Sequence, residues 1–370
     1  MHPRNGGIVT RISALLMVLA LGTSCSSEDD GRGGGGGGIG GDGAGTGGDG
    51  VGDDGDEKLD VGEGDHSGGG GEGGDECEEH EINVEVTPTN VLLVLDYSLT
   101  MQQSFAGGTR WAGLWDAVDY LTTNYDALIN LGAMMFPDVS AVGQNSCVTE
   151  EVEVPVAETN GANIMATIPP RTATPPGNTP TRAGLMVGAD HLETLDPELD
   201  RAIILVTDGE ARCKPGYADE ETIDDEVPDF VGSLYNSRGI PTYVLGMALN
   251  STAEQLLNEM AEQGGRPNPD GPHAYWEAND PAQLQAAFDS IGDQVISCII
   301  DLLSKPLDPD LFEVTVDGVV YHMVADCETE DGWVFVPGSN DMQIELCGAA
   351  CQKFKQTGSV KTEQKCPPPP

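Results

Sequence analysis

Two spacings of apolar residues recur along this chain. Short uninterrupted runs, Val91-Leu92-Leu93-Val94-Leu95 and Ile203-Ile204-Leu205-Val206, have the length and composition of strands covered on both faces. Between them the apolar positions fall at helical intervals. Trp111, Leu114, Trp115, Val118 and Leu121 stand at i, i+3, i+4, i+7 and i+10, which predicts an amphipathic helix from about Arg110 to Asn124. The two Trp on that stripe read as core rather than as a platform for carbohydrate. Further strands are predicted over Leu128 to Phe136, Ile240 to Met247 and, more briefly, His273 to Glu277. Further helices are predicted near Asn163 to Ile168, then over about Thr181 to Leu195, Ile223 to Arg238, Ser251 or Thr252 to Gln263, and Pro281 to Leu303. Strands alternating with helices of this length predict an α/β fold with a doubly wound, mostly parallel sheet.

The pattern changes at both ends. Ile82, Val84 and Val86 alternate with polar residues, as in a strand leading into the first buried run. Past about Ser304 two alternating runs, Phe312 to Val316 and Val319 to His322, flank Asp317-Gly318 and predict a hairpin. Gly332 to Val336 and Met342 to Cys347 read as two more strands. This part is too small to hold a core by itself, so it reads as a disulfide-stapled β appendage, followed by a polyproline tail. The divisions expected are residues 1–25, 26–76, 77–303 for the main domain, 304–366 for the appendage, and 367–370.

Residues 1–25 carry Arg4 and Arg11 ahead of the apolar run Ile12 to Leu21, too short for a membrane span of about 20 residues. This reads as an export signal. The following Leu21-Gly22-Thr23-Ser24-Cys25 resembles a bacterial lipoprotein processing site, with Leu one place further from the Cys than usual, and it implies lipidation of Cys25. Ordinary cleavage is the alternative. Residues 26–76 are Gly, Asp and Glu with almost nothing apolar, a composition that predicts a disordered, self-repelling linker. One stretch, Gly37 to Asp42, matches a calcium-binding β-helix repeat but does not recur at its period, so it too reads as linker.

Charge and cysteine content narrow the partners. The chain has 17 Lys and Arg against 62 Asp and Glu, a formal net charge of −45, which argues against nucleic acid as a ligand. If Cys25 carries lipid, eight cysteines remain, namely Cys77, Cys147, Cys213, Cys298, Cys327, Cys347, Cys351 and Cys366. An even number in an exported chain favours disulfides. A four-thiolate zinc site of Cys327, Cys347, Cys351 and Cys366 is the rival, weakened by the lack of paired Cys-x-x-Cys knuckles. Cys147 and Cys213 fall in loops at one end of the expected sheet and are expected to bond to each other. Cys77 and Cys298 are expected to clasp each other or the appendage.

The chemistry gathers where the buried strands stop. The first run ends in Asp96-Tyr97-Ser98-Leu99-Thr100, and the second in Thr207-Asp208-Gly209. Loops beyond the carboxyl ends of parallel strands form the binding crevice of such sheets, and carboxylate and hydroxyl oxygens suit a hard divalent cation. Taken singly, each piece is an ordinary cap or turn. Together, in this order and joined by Gly177-Asn178-Thr179-Pro180-Thr181, they resemble the von Willebrand factor type A domain, whose metal-ion-dependent adhesion site opens with Asp-x-Ser-x-Ser. Thr100 departs from the usual Ser but keeps the hydroxyl.

The resemblance implies a Rossmann-like fold and a divalent cation, Mg²⁺ before Ca²⁺ or Mn²⁺, held by Asp96, Ser98, Thr100, Thr179 and Asp208. It further implies a remaining coordination position for an acidic residue of a protein or surface ligand. The expectation is then an exported adhesion module, at the cell surface or in the periplasm, meeting the membrane only through a lipid anchor. The alternatives are a subunit that docks without metal and a metal-assisted hydrolase. Six His are scattered without a Ser or Cys partner, and no Gly-Lys-Ser phosphate loop occurs, so a non-enzymatic role is expected.

Overall fold

The computed structural model describes residues 78–140 and 147–367. The segments read as export signal and acidic linker, with Cys25 and Cys77, lie outside them.

The chain enters through two short strands, β1 (His80–Ile82) and β2 (Val84–Val86), and then the buried run forms β3 (Thr89–Asp96), in which every residue is buried. A two-stranded ribbon, β4 (Ser104–Phe105) and β5 (Gly108–Thr109), leads into α1 (Arg110–Tyr125), whose first turn is capped by the Thr109 hydroxyl accepting from Ala112 N–H. β6 (Ile129–Phe136), β7 (Val154–Ala157), α2 (Gly161–Thr167) and α3 (Thr181–Leu192) follow. Then come β8 (Arg201–Thr207), α4 (Val227–Arg238), β9 (Thr242–Met247), α5 (Ser251–Gln263), β10 (Trp276–Ala278) and α6 (Pro281–Val295). These strands make one six-stranded sheet in the order β10-β9-β8-β3-β6-β7, parallel throughout except that β7 runs antiparallel to β6.

The alternation of side chains along β3 divides the apolar interior. Val91, Leu93 and Leu95 pack with Trp111, Leu114 and Val118 of α1, Ile164 of α2, and Leu284 and Phe288 of α6. Leu92 and Val94 pack with Leu185 and Ala189 of α3, Val231 of α4 and Leu257 of α5. Helices therefore cover both faces, which is why a continuous apolar run is stable at this position. Among the described residues no helix is long and apolar enough to cross a membrane.

The two ends fold together instead of separately. α6 stops at Val295, not at Leu303, and Ile299–Leu302 becomes β11. The spacing of Ile291, Val295 and Ile299 suits a helix, but the β-branched pair Ile299-Ile300 finds backbone partners on both sides, β2 and β15 (Gln343–Cys347), and that pairing wins. β1 and β2 likewise do not lead into the central sheet. They join strands from beyond residue 304: β12 (Phe312–Val316), β13 (Val319–Tyr321), β14 (Gly332–Phe335), β15 and β16 (Val360–Gln364), with α7 (Ala349–Thr357) before β16. Two four-stranded sheets result, in the orders β1-β16-β12-β13 and β14-β15-β11-β2. Their apolar side chains Val314, Trp333 and Ile344, with Phe354 of α7, belong to the same core as those of α1 and α6.

Disulfides join Cys298 to Cys351, tying the start of β11 to α7, and Cys327 to Cys347. Cys366 is disulfide-bonded as well. The four-thiolate zinc alternative is thereby overturned, because those sulfurs are spent in disulfides and cannot act as thiolate ligands.

Candidate functional site

β3 delivers Asp96 to the carboxyl end of the sheet, and its neighbour β8 delivers Thr207 and Asp208 beside it. Tyr97 N–H donates to the Phe136 carbonyl at 2.9 Å, so the chain leaves the sheet only after Asp96. It then turns on its own acid: Ser98 N–H donates to Asp96 Oδ1 at 2.8 Å. The Ser98 and Thr100 hydroxyls lie 2.9 Å apart, and the Thr100 hydroxyl donates to Asp208 Oδ1 at 2.7 Å. Four of the five residues singled out in the sequence are thus linked by hydrogen bonds or hydroxyl contacts.

The fifth, Thr179, is buried in the adjacent loop, and its hydrogen bonds run to Thr181 and Arg212 instead of to the other four. Its carbonyl accepts from Thr181 N–H and Arg212 N–H, each at 2.8 Å, while Leu99 N–H donates to the Gly177 carbonyl at 3.0 Å. The Cys147–Cys213 disulfide, with Cα atoms 6.0 Å apart, ties the loop after β6 to the loop after β8. Leu99 stands out beside the site as an apolar side chain 42% exposed.

Two further residues belong to the cluster and were not singled out from the sequence. Thr207 donates its hydroxyl to Asp96 Oδ2 at 2.6 Å. Arg110, the first residue of α1, donates from Nη1 to Asp208 Oδ2 at 2.7 Å and from Nη2 to the Ala248 carbonyl at 2.8 Å. A signal for Arg110 was present, since it is the only Lys or Arg between Lys58 and Arg171. Thr207 offered less, being one more hydroxyl at the end of a strand.

Both carboxylates are held away from water, Asp96 entirely and Asp208 at 4% exposure. Burial, and then repulsion from Asp208, push the Asp96 carboxyl up to about 7, against the hydrogen bonds from Ser98 and Thr207. Burial also pushes Asp208 up, opposed by the Thr100 hydroxyl and the Arg110 guanidinium. Chemically, this is a compact set of oxygen donors whose two acids share one guanidinium. Among the described residues no three His, Cys, Asp or Glu gather to hold a metal ion; this cluster has two acids, and its other oxygen donors are hydroxyls.

No family model matches the chain, and no curated protein matches it in sequence. Solved structures do resemble it in fold. The PilB minor pilin from Streptococcus sanguinis is 17% identical, over 57% of this chain and 62% of that one, with a TM-score of 0.43. The pilus adhesin SpaC from Lactobacillus rhamnosus GG is 14% identical, over 76% of this chain and 40% of that one, with a TM-score of 0.46. A von Willebrand factor type A protein from Catenulispora acidiphila is 13% identical, over 75% of this chain and 57% of that one, with a TM-score of 0.39. The chain thus spans less than two thirds of the pilin and of the adhesin. At these identities and scores the neighbours, which are pilin, adhesin and von Willebrand factor type A proteins, assign this chain no activity.

Proposed function

We infer that the end of the central sheet holds a divalent cation through Asp96, Ser98, Thr100, Thr179 and Asp208, in a doubly wound fold of the von Willebrand factor type A kind. The chain would act as an exported adhesion module, anchored through lipid on Cys25 at the outer membrane or cell surface. When bound, the cation supplies an open coordination position for a carboxylate of a protein or surface ligand. The observation that carries this reading is the packing of oxygens. The Ser98 and Thr100 hydroxyls are 2.9 Å apart, and the Thr100 hydroxyl is 2.7 Å from Asp208 Oδ1. Hydroxyl and carboxylate oxygens gathered in this way are the donors that a hard divalent cation takes. Two buried carboxylates side by side also gain from a cation between them more than any neutral partner supplies.

The chain's own residues have separate parts in this. Thr207 orients Asp96, the Ser98 N–H fixes the loop, and the Gly177 carbonyl holds that loop against the Thr179 segment. Isothermal titration of Mg²⁺, Mn²⁺ and Ca²⁺ into the full chain tests the reading. Binding to the wild type that disappears in Asp96→Ala and in Asp208→Ala, with circular dichroism unchanged, is expected. Binding that survives in both variants, or uptake by neither the folded wild type nor Arg110→Gln, would sink it.

A second reading has one observation in its favour. Arg110 already partners Asp208, as a module docking without metal would need, and metal-independent binding of a ligand would support it.

A further inference from the structure

We propose that Arg110 is an internal cation that competes with the metal for Asp208, setting the metal affinity of the site. This rests on the reading above.

Asp96, Asp208 and Arg110 together carry −1 when both acids are ionised, so the site is close to compensated without any ion. A divalent cation added beside an unmoved guanidinium would turn −1 into +1 in a region from which water is largely excluded. Asp208 has no exposed side-chain surface and Arg110 only 11%, so the repulsion between the two cations is weakly screened. Metal uptake therefore requires Arg110 to loosen its hold on Asp208 Oδ2, and its affinity is lowered by whatever that ion pair contributes.

The geometry shows a side chain held at one end and poorly held along its length. Nη1 and Nη2 bridge Asp208 to the Ala248 carbonyl, while Nε is buried with no hydrogen-bond partner. An orphaned donor in a buried guanidinium disfavours this pose and lowers the barrier to leaving it. Arg110 is the only Lys or Arg in the sequence from 59 to 170, and Arg212, in the loop after β8, is paired with Glu210 and Glu221. Asp96, by contrast, receives only neutral donors, from Ser98 and Thr207. The guanidinium thus guards one carboxylate and leaves the other for the incoming ion.

Titration of Mn²⁺ or Mg²⁺ into the full-length wild type, Arg110→Gln and Arg110→Lys, with free Mn²⁺ read by electron paramagnetic resonance, is the test. Arg110→Gln is expected to bind the metal at least tenfold more tightly than the wild type, about 1.4 kcal/mol. In EDTA it is expected to melt lower, because Asp208 loses its partner, and to gain more in melting temperature on metal addition. Arg110→Lys keeps the charge but cannot span Asp208 and Ala248, so it should bind more tightly by a smaller factor, and it serves if the Gln variant does not fold. Wild-type binding with neither variant tighter would overturn the role of Arg110 and leave the metal site standing. Uptake by none of the three would remove the metal site, and this role with it. Uptake by a variant but not by the wild type would support both.

Discussion

Asp96→Asn separates the stability of this site from its function. The carboxyl is fully buried and lies at about 7 instead of its ordinary 3.8. Because the folded value is raised, the folded chain keeps this proton after the unfolded chain has released it. Stability is therefore fully retained below about pH 4, is lost as pH rises from there to about 7, and is level above. The interval of a little over three pH units at ~1.4 kcal/mol each gives about 4 kcal/mol lost at pH 8 in the absence of metal. Asn keeps the shape, its carbonyl can still accept from Ser98 N–H, and the Thr207 hydroxyl can rotate to accept from its amide. Thermal melts of wild type and variant in EDTA between pH 5 and pH 8 should diverge, the variant becoming the more stable by up to about 4 kcal/mol. For a domain of this size that is on the order of 10 °C. Taking the difference between two chains that share the other acids cancels their common titration. Saturating Mg²⁺ should narrow that gap at pH 8, since only the wild type gains ligand stabilisation, ~2.7 kcal/mol at a hundredfold excess over Kd. A gap that stays constant across this pH range in EDTA, or a wild type more stable than the variant at pH 8, would refute the account of a charge buried at a cost that a cation offsets.

Two further perturbations probe the scaffold around the site. Cys147→Ser together with Cys213→Ser opens a loop closed across 66 positions, and the chain-entropy estimate puts the loss near 4 kcal/mol. A urea midpoint that barely moves would show that the loops are held without it. Gly132→Ala would place a Cβ 2.8 Å from both the Val154 carbonyl oxygen and the Val156 nitrogen. Backbone at that distance cannot yield without shifting β7, so a loss of about 1–3 kcal/mol is expected. Metal affinity should be unchanged, because β7 is the outer strand, and a matching loss of affinity would show that edge and site are coupled.

Much of this protein was legible along its sequence, and the reason is local. An unbroken run such as Val91 to Leu95 is stable only between two covering layers, and an acid followed by hydroxyls at its end has few other places to go than the crevice beyond the sheet. The helical stripe from Trp111 to Leu121 carries its own period, and α1 forms where that period predicts. Asp96, Ser98, Thr100 and Asp208 converge because parallel neighbours in register, with Leu95 opposite Val206, end together.

What the sequence could not decide was set by partners far away along the chain. Ile299 to Leu302 suited a helix by spacing and became a strand because β2 and β15, more than 200 residues apart from each other, offer it hydrogen bonds on both edges. Ile82, Val84 and Val86 pointed to a strand but not to its sheet. α7 and β16 went unread because their pattern has meaning only against the core they complete, where Phe354 and Thr362 are buried. Arg110 was visible as an isolated charge, yet only the fold aims it at Asp208, 98 positions away. Periodicity records which face of an element meets apolar neighbours. Which strand pairs with it, and which charge it opposes, are properties of distance in space, and those were left to the tertiary structure.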